Sequence, residues 1–184
     1  MNDLKLNYKK AKFEGKIILV TENEELKKAL LNFKDSEYLG FDTETRPSFK
    51  KGESYSVSLL QIANEDTAIL IRLKNISDFS PLIEIFENSN YLKIGVAIRD
   101  DIKQLQKIFS FTPNGFIELA NLAKEKKLTK FGLKGMCEEI LNFTLSKRAK
   151  LSNWDNLILT KEQLSYAATD AWVGQKIYIK LKSF

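Results

Sequence analysis

Four carboxylates in three segments of the chain have the types and spacing for metal-assisted chemistry. They are Asp42 and Glu44 in YLGFDTET (38–45), Asp101 in IRDDIKQLQKIF (98–109), and Asp170 in SYAATDAWVG (165–174). Side chains two apart on a strand point to one face, so Asp42 and Glu44 project together while Phe41 and Thr43 face the other way. Two carboxylates on one face repel each other unless a cation joins them. With hard oxygen ligands and no histidine or thiolate beside them, that cation is Mg²⁺ or Mn²⁺ rather than structural zinc.

Helical geometry selects among the remaining acids. At ~100° per residue, Ile98, Ile102, Leu105 and Phe109 form an apolar stripe, and Asp101 lies on its flank between the directions of Leu105 and Ile108. Asp100 shares its face with Gln104 and Lys107, where a solvated carboxylate is ordinary. Asp101 is therefore the inward acid. Tyr166 and Asp170 are four residues apart, one turn above the other on the same helix face, and Gly174 continues that face and leaves space beside it. Taken singly, an Asp-x-Glu is common on solvated strand edges and a Tyr-x-x-x-Asp is ordinary amphipathicity. Together they describe one inward-facing acidic set whose charge two divalent cations would cancel.

Composition narrows the chemistry further. The 184 residues contain no histidine, which excludes Ser-His-Asp and Cys-His catalysis, His-ligated zinc and imidazole bases. Cys137 is the single cysteine, in a run (GMCEEIL) that reads as a half-buried helix, and it can form no internal disulfide. The net charge of +5 favours a polyanionic partner only weakly. No run approaches the ~18 apolar residues of a membrane span, and MNDLKLNYKK lacks a signal-peptide apolar core, so a cytoplasmic protein without membrane association is expected.

The elements that must position these residues are legible in outline. KIILV (16–20) reads as a strand, and Thr21 with Glu24 has capping-box spacing for a helix through EELKKALLNF. YLGFDTET, SVSLLQIA and TAILIRL, with short connections, predict an antiparallel meander. SPLIEIFENS (80–89) predicts a helix with Pro81 in its first turn, and YLKIGVA (91–97) a buried strand leading into the helix of Asp101. After Pro113 the pattern is helical through FIELANLAKEKK, LKGMCEEILN and TKEQLSYAATDAWVGQKIYIKLK. The whole, 1–184, reads as one α/β domain with no internal repeat.

FDTET, IGVAIRDDIKQL and YAATDAWVG, in this order and spacing, resemble the three motifs of the DEDD family of 3′-5′ exonucleases, in its tyrosine-bearing subgroup (DEDDy) and its ribonuclease D-like and Werner-like branch. The resemblance runs over about 38–178 and includes LSNWDNLILTKEQLSYAATDA. It implies an RNase H-like exonuclease fold, a mixed β-sheet with its first strands antiparallel and flanked by helices. Matched by position, the metal-binding carboxylates are Asp42, Glu44, Asp101 and Asp170, and the catalytic tyrosine is Tyr166. The implied chemistry is hydrolysis at the 3′ end of DNA or RNA with two divalent ions, releasing nucleoside 5′-monophosphates. One ion is held by Asp42, Glu44 and Asp170; the other is bridged by Asp42 and supported by Asp101 through water. Tyr166 orients or deprotonates the attacking water. Asp100, where Werner-like members have a small residue, is a departure that adds a negative charge beside the site.

Lys134, Lys147, Arg148 and Lys150 are candidate phosphate contacts, against the alternative of plain solvated lysines and arginine. Thr43 and Thr45 are candidates for meeting the terminal nucleotide. Trp154 and Trp172 sit in apolar runs and are read as packing anchors. Two rival functions remain on the same fold: a non-catalytic nucleic-acid-binding module and a protein-interaction scaffold.

Overall fold

The computed structural model describes residues 8–183. The N-terminal decapeptide read above for a leader falls mostly outside them. In chain order the elements are β1 (Lys9–Lys10), β2 (Lys16–Val20), α1 (Asn23–Leu30), β3 (Tyr38–Thr45), β4 (Val57–Ala63), β5 (Thr67–Arg72), α2 (Ser80–Glu87), β6 (Leu92–Gly95), α3 (Ile98–Leu105), β7 (Phe116–Glu118), α4 (Leu119–Glu125), α5 (Leu133–Met136), β8 (Phe143–Thr144) and α6 (Lys161–Lys182). A π-helical turn, Cys137–Leu141, continues α5.

Six strands form the main sheet in the order β2-β5-β4-β3-β6-β7. Strands β3, β4 and β5 are the antiparallel meander that their short connections predict. Around it, β2 pairs parallel with β5, β6 with β3, and β7 with β6. β1 and β8 form a separate short parallel pair. Every residue of β4 and β5 is buried, which explains their nearly unbroken apolar runs in place of alternation.

The two sheet faces carry different layers. On one face Leu60, Ile62, Ile69 and Ile71 pack with Leu26 of α1, Leu82 and Phe86 of α2, and Leu105 of α3. On the other, Leu59, Ala63, Ala68 and Leu70 meet Ala167, Ala168 and Ala171 of α6 together with Trp154. Farther along α6, Val173 and Ile177 pack with Ile94 of β6. The architecture is thus a mixed sheet covered by helices on both faces.

α6 is the element that closes the site, and its sequence explains how. Thr160 and Gln163 form a reciprocal capping box, the hydroxyl accepting from the Gln163 N–H and the amide oxygen from the Thr160 N–H. Small residues then face the sheet. A Cβ at Gly40 would overlap the Ala171 carbonyl oxygen, and one at Gly174 would lie 3.2 Å from the Ile94 carbonyl oxygen. Gln175 fixes the register by donating to the Tyr38 carbonyl at 2.9 Å. Helix and strand backbones therefore approach more closely than side chains of ordinary size would permit.

Several local expectations are corrected. Thr21 and Glu24 form no capping box; Glu22 is the N-cap, and Thr21 donates through its N–H to Glu25, 3.1 Å away. The helix of Asp101 ends at Leu105, and the chain continues in turns rather than to Phe109. Residues 116–118, read as helical, pair with β6 as β7, so tertiary pairing overrides local pattern there. Cys137 is fully buried rather than half-buried. Among the described residues no helix is long and apolar enough to cross a membrane.

The close α6–β3 approach makes a direct prediction. Gly40→Ala should cost about 3 kcal/mol in denaturant unfolding, because the clash is with backbone. Gly132→Ala, whose Cβ would meet nothing within 4 Å, should stay within about 0.5 kcal/mol of the parent. Equal midpoints for the two variants would contradict the close approach.

Candidate active site

Asp42 and Glu44 stand on β3, which is paired with β6 over Tyr38–Gly40 and runs on past that pairing, held by β4, to bring both carboxylates to the cavity. Asp42 is opposite Gln61 and Glu44 opposite Leu59, with a bulge between Glu44 and Thr45 that ends the regular ladder. Asp170 comes from α6, brought down by the alanines and glycine beneath it. One carboxylate oxygen each from Asp42, Glu44 and Asp170 lie within 4.8 Å of one another. They open into a cavity of about 380 Å³ whose wall includes Thr43, Lys134, Lys147, Lys150, Tyr166 and Gly174.

Tyr166, one turn before Asp170, is near enough to that carboxylate for each to shift the other's proton affinity. The phenol ring leans on Trp154, with centroids 6.0 Å apart, and Trp154 itself is fully buried. Trp154 thus acts as a packing anchor that fixes the tyrosine; Trp172 is half-buried, packed against Phe13.

Asp101 stands apart from the three-carboxylate group. It is half-buried while Asp100 is exposed, so the apolar stripe separates the two as the helical period requires. Its Oδ1 accepts the Thr43 hydroxyl at 2.5 Å. β3 therefore works from both faces, with Asp42 and Glu44 on one and Thr43 reaching α3 from the other. The entry to α3 is also held: Ala97 takes a left-handed φ of 60°, and Glu118 accepts the Ile98 N–H at 3.0 Å. Sequence reasoning missed the Glu118 contact and the Thr43–Asp101 bond. The signal for the first was a glutamate at a strand end just before a helix, which also takes the N-cap role for α4.

The electrostatics follow from crowding. Burial raises the Asp42 carboxyl well above its ordinary value, repulsion from Asp170 and Asp101 adds to this, and the Thr43 N–H and Lys150 oppose it. Burial, with Asp42 and Asp170 beside it, pushes Glu44 up to about 9. Burial likewise raises Asp170 to about 7, against the nearby Tyr166 hydroxyl and Lys150. Asp101 is raised by burial too, with its Thr43 bond pulling the other way. The Tyr166 phenol is raised by burial and by Asp170, so without cations it keeps its proton at neutral pH.

The basic candidates divide. Lys134, Lys147 and Lys150 line the cavity, and Lys134 also lies 3.8 Å from Glu138. Arg148 faces a neighbouring cavity of about 350 Å³ with Lys10 and Lys161. Thr43 sits on the wall with its hydroxyl committed to Asp101, and Thr45, beyond the bulge, stays outside the lining.

A family model described as 3′-5′ exonuclease matches residues 17–183. The mouse bifunctional 3′-5′ exonuclease/ATP-dependent helicase WRN is 33% identical over 157 residues, covering 82% of this chain and 11% of that protein. Ribonuclease D of Haemophilus influenzae is 28% identical over 163 residues, covering 87% of this chain and 40% of that protein. The chain thus spans less than half the length of these relatives. In three dimensions it is similar to the Nibbler EXO domain of Aedes aegypti, with a TM-score of 0.82 at 24% identity, covering 91% of this chain and 87% of that one. That likeness shows the RNase H-like fold.

The raised carboxyls carry a signed pH dependence. A carboxyl whose folded pKa exceeds its unfolded one contributes stability that is full below the unfolded pKa and lost as pH rises through the folded value. For Glu44 that window runs from 4.5 to about 9. In EDTA the melting temperature should fall across it, and Glu44→Gln should flatten the fall. A wild-type profile that instead rises from pH 5 to 9, or a variant profile that is just as steep, would contradict the assignment.

Proposed function

The chain belongs to the 3′-5′ exonuclease family, and from that premise we propose that it removes nucleotides from the 3′ end of DNA or RNA as 5′-monophosphates, using two Mg²⁺ or Mn²⁺ ions. One observation carries the reading: oxygens of Asp42, Glu44 and Asp170 converge within 4.8 Å, with Tyr166 beside Asp170 on the wall of a lysine-lined cavity. We assign the chain to the tyrosine-bearing subgroup on Tyr166.

The donor set suits hard divalent cations. Carboxylate oxygens alone, from half-buried Asp42 and Glu44 and buried Asp170, raised towards protonation by desolvation and mutual repulsion, make a site that gains from positive charge and offers nothing to softer metals. Asp42, Glu44 and Asp170, with Asp101 beside them, would hold the ions, which when bound would lower the pKa of water and stabilise negative charge on the departing 3′ oxygen.

The chain's own groups do the remaining work. Tyr166 retains its proton and aims its hydroxyl at the Asp170 side of the cavity, where it orients the attacking water. Lys150, which already offsets charge at Asp42, Glu44 and Asp170, is placed to meet the phosphate, with Lys134 and Lys147 on the same wall. Thr43 keeps the Asp101 carboxylate in place.

Oligonucleotides of DNA and RNA, labelled at either end and incubated with Mg²⁺, Mn²⁺ or EDTA, test this reading. Mononucleotides should appear from the 3′ end only, and only with metal. Asp42→Ala and Asp170→Ala should release none while keeping the fold, and Tyr166→Phe should slow release by about a hundredfold. Full activity of the Asp42→Ala protein would overturn the carboxylate site, and no release by the wild-type protein with either metal would favour a scaffold or a non-catalytic binding module.

Thr43 supplies a separate test of positioning. Thr43→Val should raise the Mg²⁺ concentration needed for half-maximal rate, and Thr43→Ser should restore it. Identical metal dependence in all three proteins would remove Thr43 from the account.

A further inference from the structure

A second groove, of about 320 Å³, opens between the β3–β4 connection and the segment after Lys150. Arg46, Phe49, Lys50, Tyr55 and Leu151 line it. Two chain segments run directly from one site to the other: Glu44 and Lys150 line the catalytic cavity, while Arg46 and Leu151 line the groove. The groove therefore adjoins the catalytic cavity along both segments.

The groove's surface is unusual for a solvated loop. Phe49 is 81% exposed and Leu151 69% exposed, so a large ring and a large aliphatic side chain face water in one concavity. The loop that presents Phe49 is held by its own bonds: the Ser48 hydroxyl donates to the Lys50 carbonyl at 3.1 Å, the Glu53 N–H donates to the same carbonyl at 3.2 Å, and Gly52 supplies a φ of 89°. Arg46 lies over the Tyr55 ring, 4.6 Å from its centroid, and the Tyr55 hydroxyl donates to Glu53 at 3.2 Å. Tyr55 and Arg46 are thereby committed to each other, whereas no ring contact of Phe49 occurs among the described residues.

We propose that this groove is a binding site for the bases of single-stranded nucleic acid upstream of the terminal nucleotide, with Phe49 as the stacking ring and Leu151 as its apolar wall. Arg46 and Lys50 outweigh Glu53, the acidic residue on the lining, and leave the net positive charge that a phosphate backbone requires, with Lys150 following at the catalytic cavity. An aromatic ring beside cations is the combination that holds single strands without reading their sequence, because every base has a π-face. The occupant follows from the nuclease reading above, but the groove's test is independent of catalysis.

Binding of labelled single strands of DNA and of RNA, followed by anisotropy in EDTA at low salt, decides it. Phe49→Ala should weaken binding by about tenfold or more; because the ring is exposed, the fold should be unaffected. Phe49→Trp should restore affinity, and its added emission should be quenched by the oligonucleotide, which a merely structural residue would not show. Unchanged affinity in Phe49→Ala, or unquenched emission in Phe49→Trp, would overturn the groove. Phe49-dependent binding by a wild-type protein that hydrolyses nothing would keep the groove and sink the nuclease reading. Wild-type protein that binds no strand in EDTA yet releases mononucleotides with metal would overturn the groove and keep the nuclease reading.

Discussion

Mutual repulsion among Asp42, Glu44 and Asp170 is the constraint around which this molecule is arranged. Oxygens of three carboxylates within 4.8 Å, in a buried corner, cannot all ionise without a large electrostatic cost. The fold nevertheless holds them there. Asp42 and Glu44 are fixed by a strand paired with β4 along their length, and Asp170 by a helix that settles onto the sheet where Ala171 meets Gly40 and Gly174 meets Ile94. Relaxing the repulsion by moving one carboxylate would mean separating α6 from β3, with loss of the packing around Trp154 and the Gln175–Tyr38 bond. Protons relieve the cost in the absence of metal, and divalent cations are the complementary partner.

The same strand serves the second half of the site. Because side chains alternate along β3, Thr43 points away from its two acidic neighbours and reaches Asp101 on α3. The fourth carboxylate is thus kept close to the group but outside it, with its own hydrogen bond. Tyr166, meanwhile, is held by the Trp154 ring beside its own and stands one turn before Asp170 on the cavity wall. Structural and chemical roles overlap in these residues, so substitutions here test positioning as much as reactivity.

Much of this was legible in the sequence because it depends on period alone. The strand period put Asp42 and Glu44 on one face, the helix period separated exposed Asp100 from half-buried Asp101, and the i,i+4 relation stacked Tyr166 on Asp170. The meander β3–β4–β5 followed from short connections between β-rich runs. What escaped was set by long-range contact. The parallel pairing of β2 with β5, and the formation of β7 beside β6, depend on partners distant in the chain. The Thr43–Asp101 bond joins residues 58 positions apart, and local reasoning assigned that hydroxyl to substrate instead. Glu25 rather than Glu24 meets Thr21 because the helix starts one residue later than the motif suggests. The lysines show the same limit: their number was plain, but only the fold separates Lys150 at the cavity from Arg148 beside its neighbour.

If cation binding is what resolves the carboxylate crowding, then binding must expel protons, because the ligands have to ionise to accept metal. Calorimetric titration of the metal-free protein with Mn²⁺ at pH 7, repeated in buffers of different ionisation enthalpy, measures that release directly. With Glu44 raised to about 9 and Asp170 to about 7, the account predicts saturable binding with net proton release that diminishes as pH rises towards 9. Absence of binding, or binding with no proton release at pH 7, would contradict it.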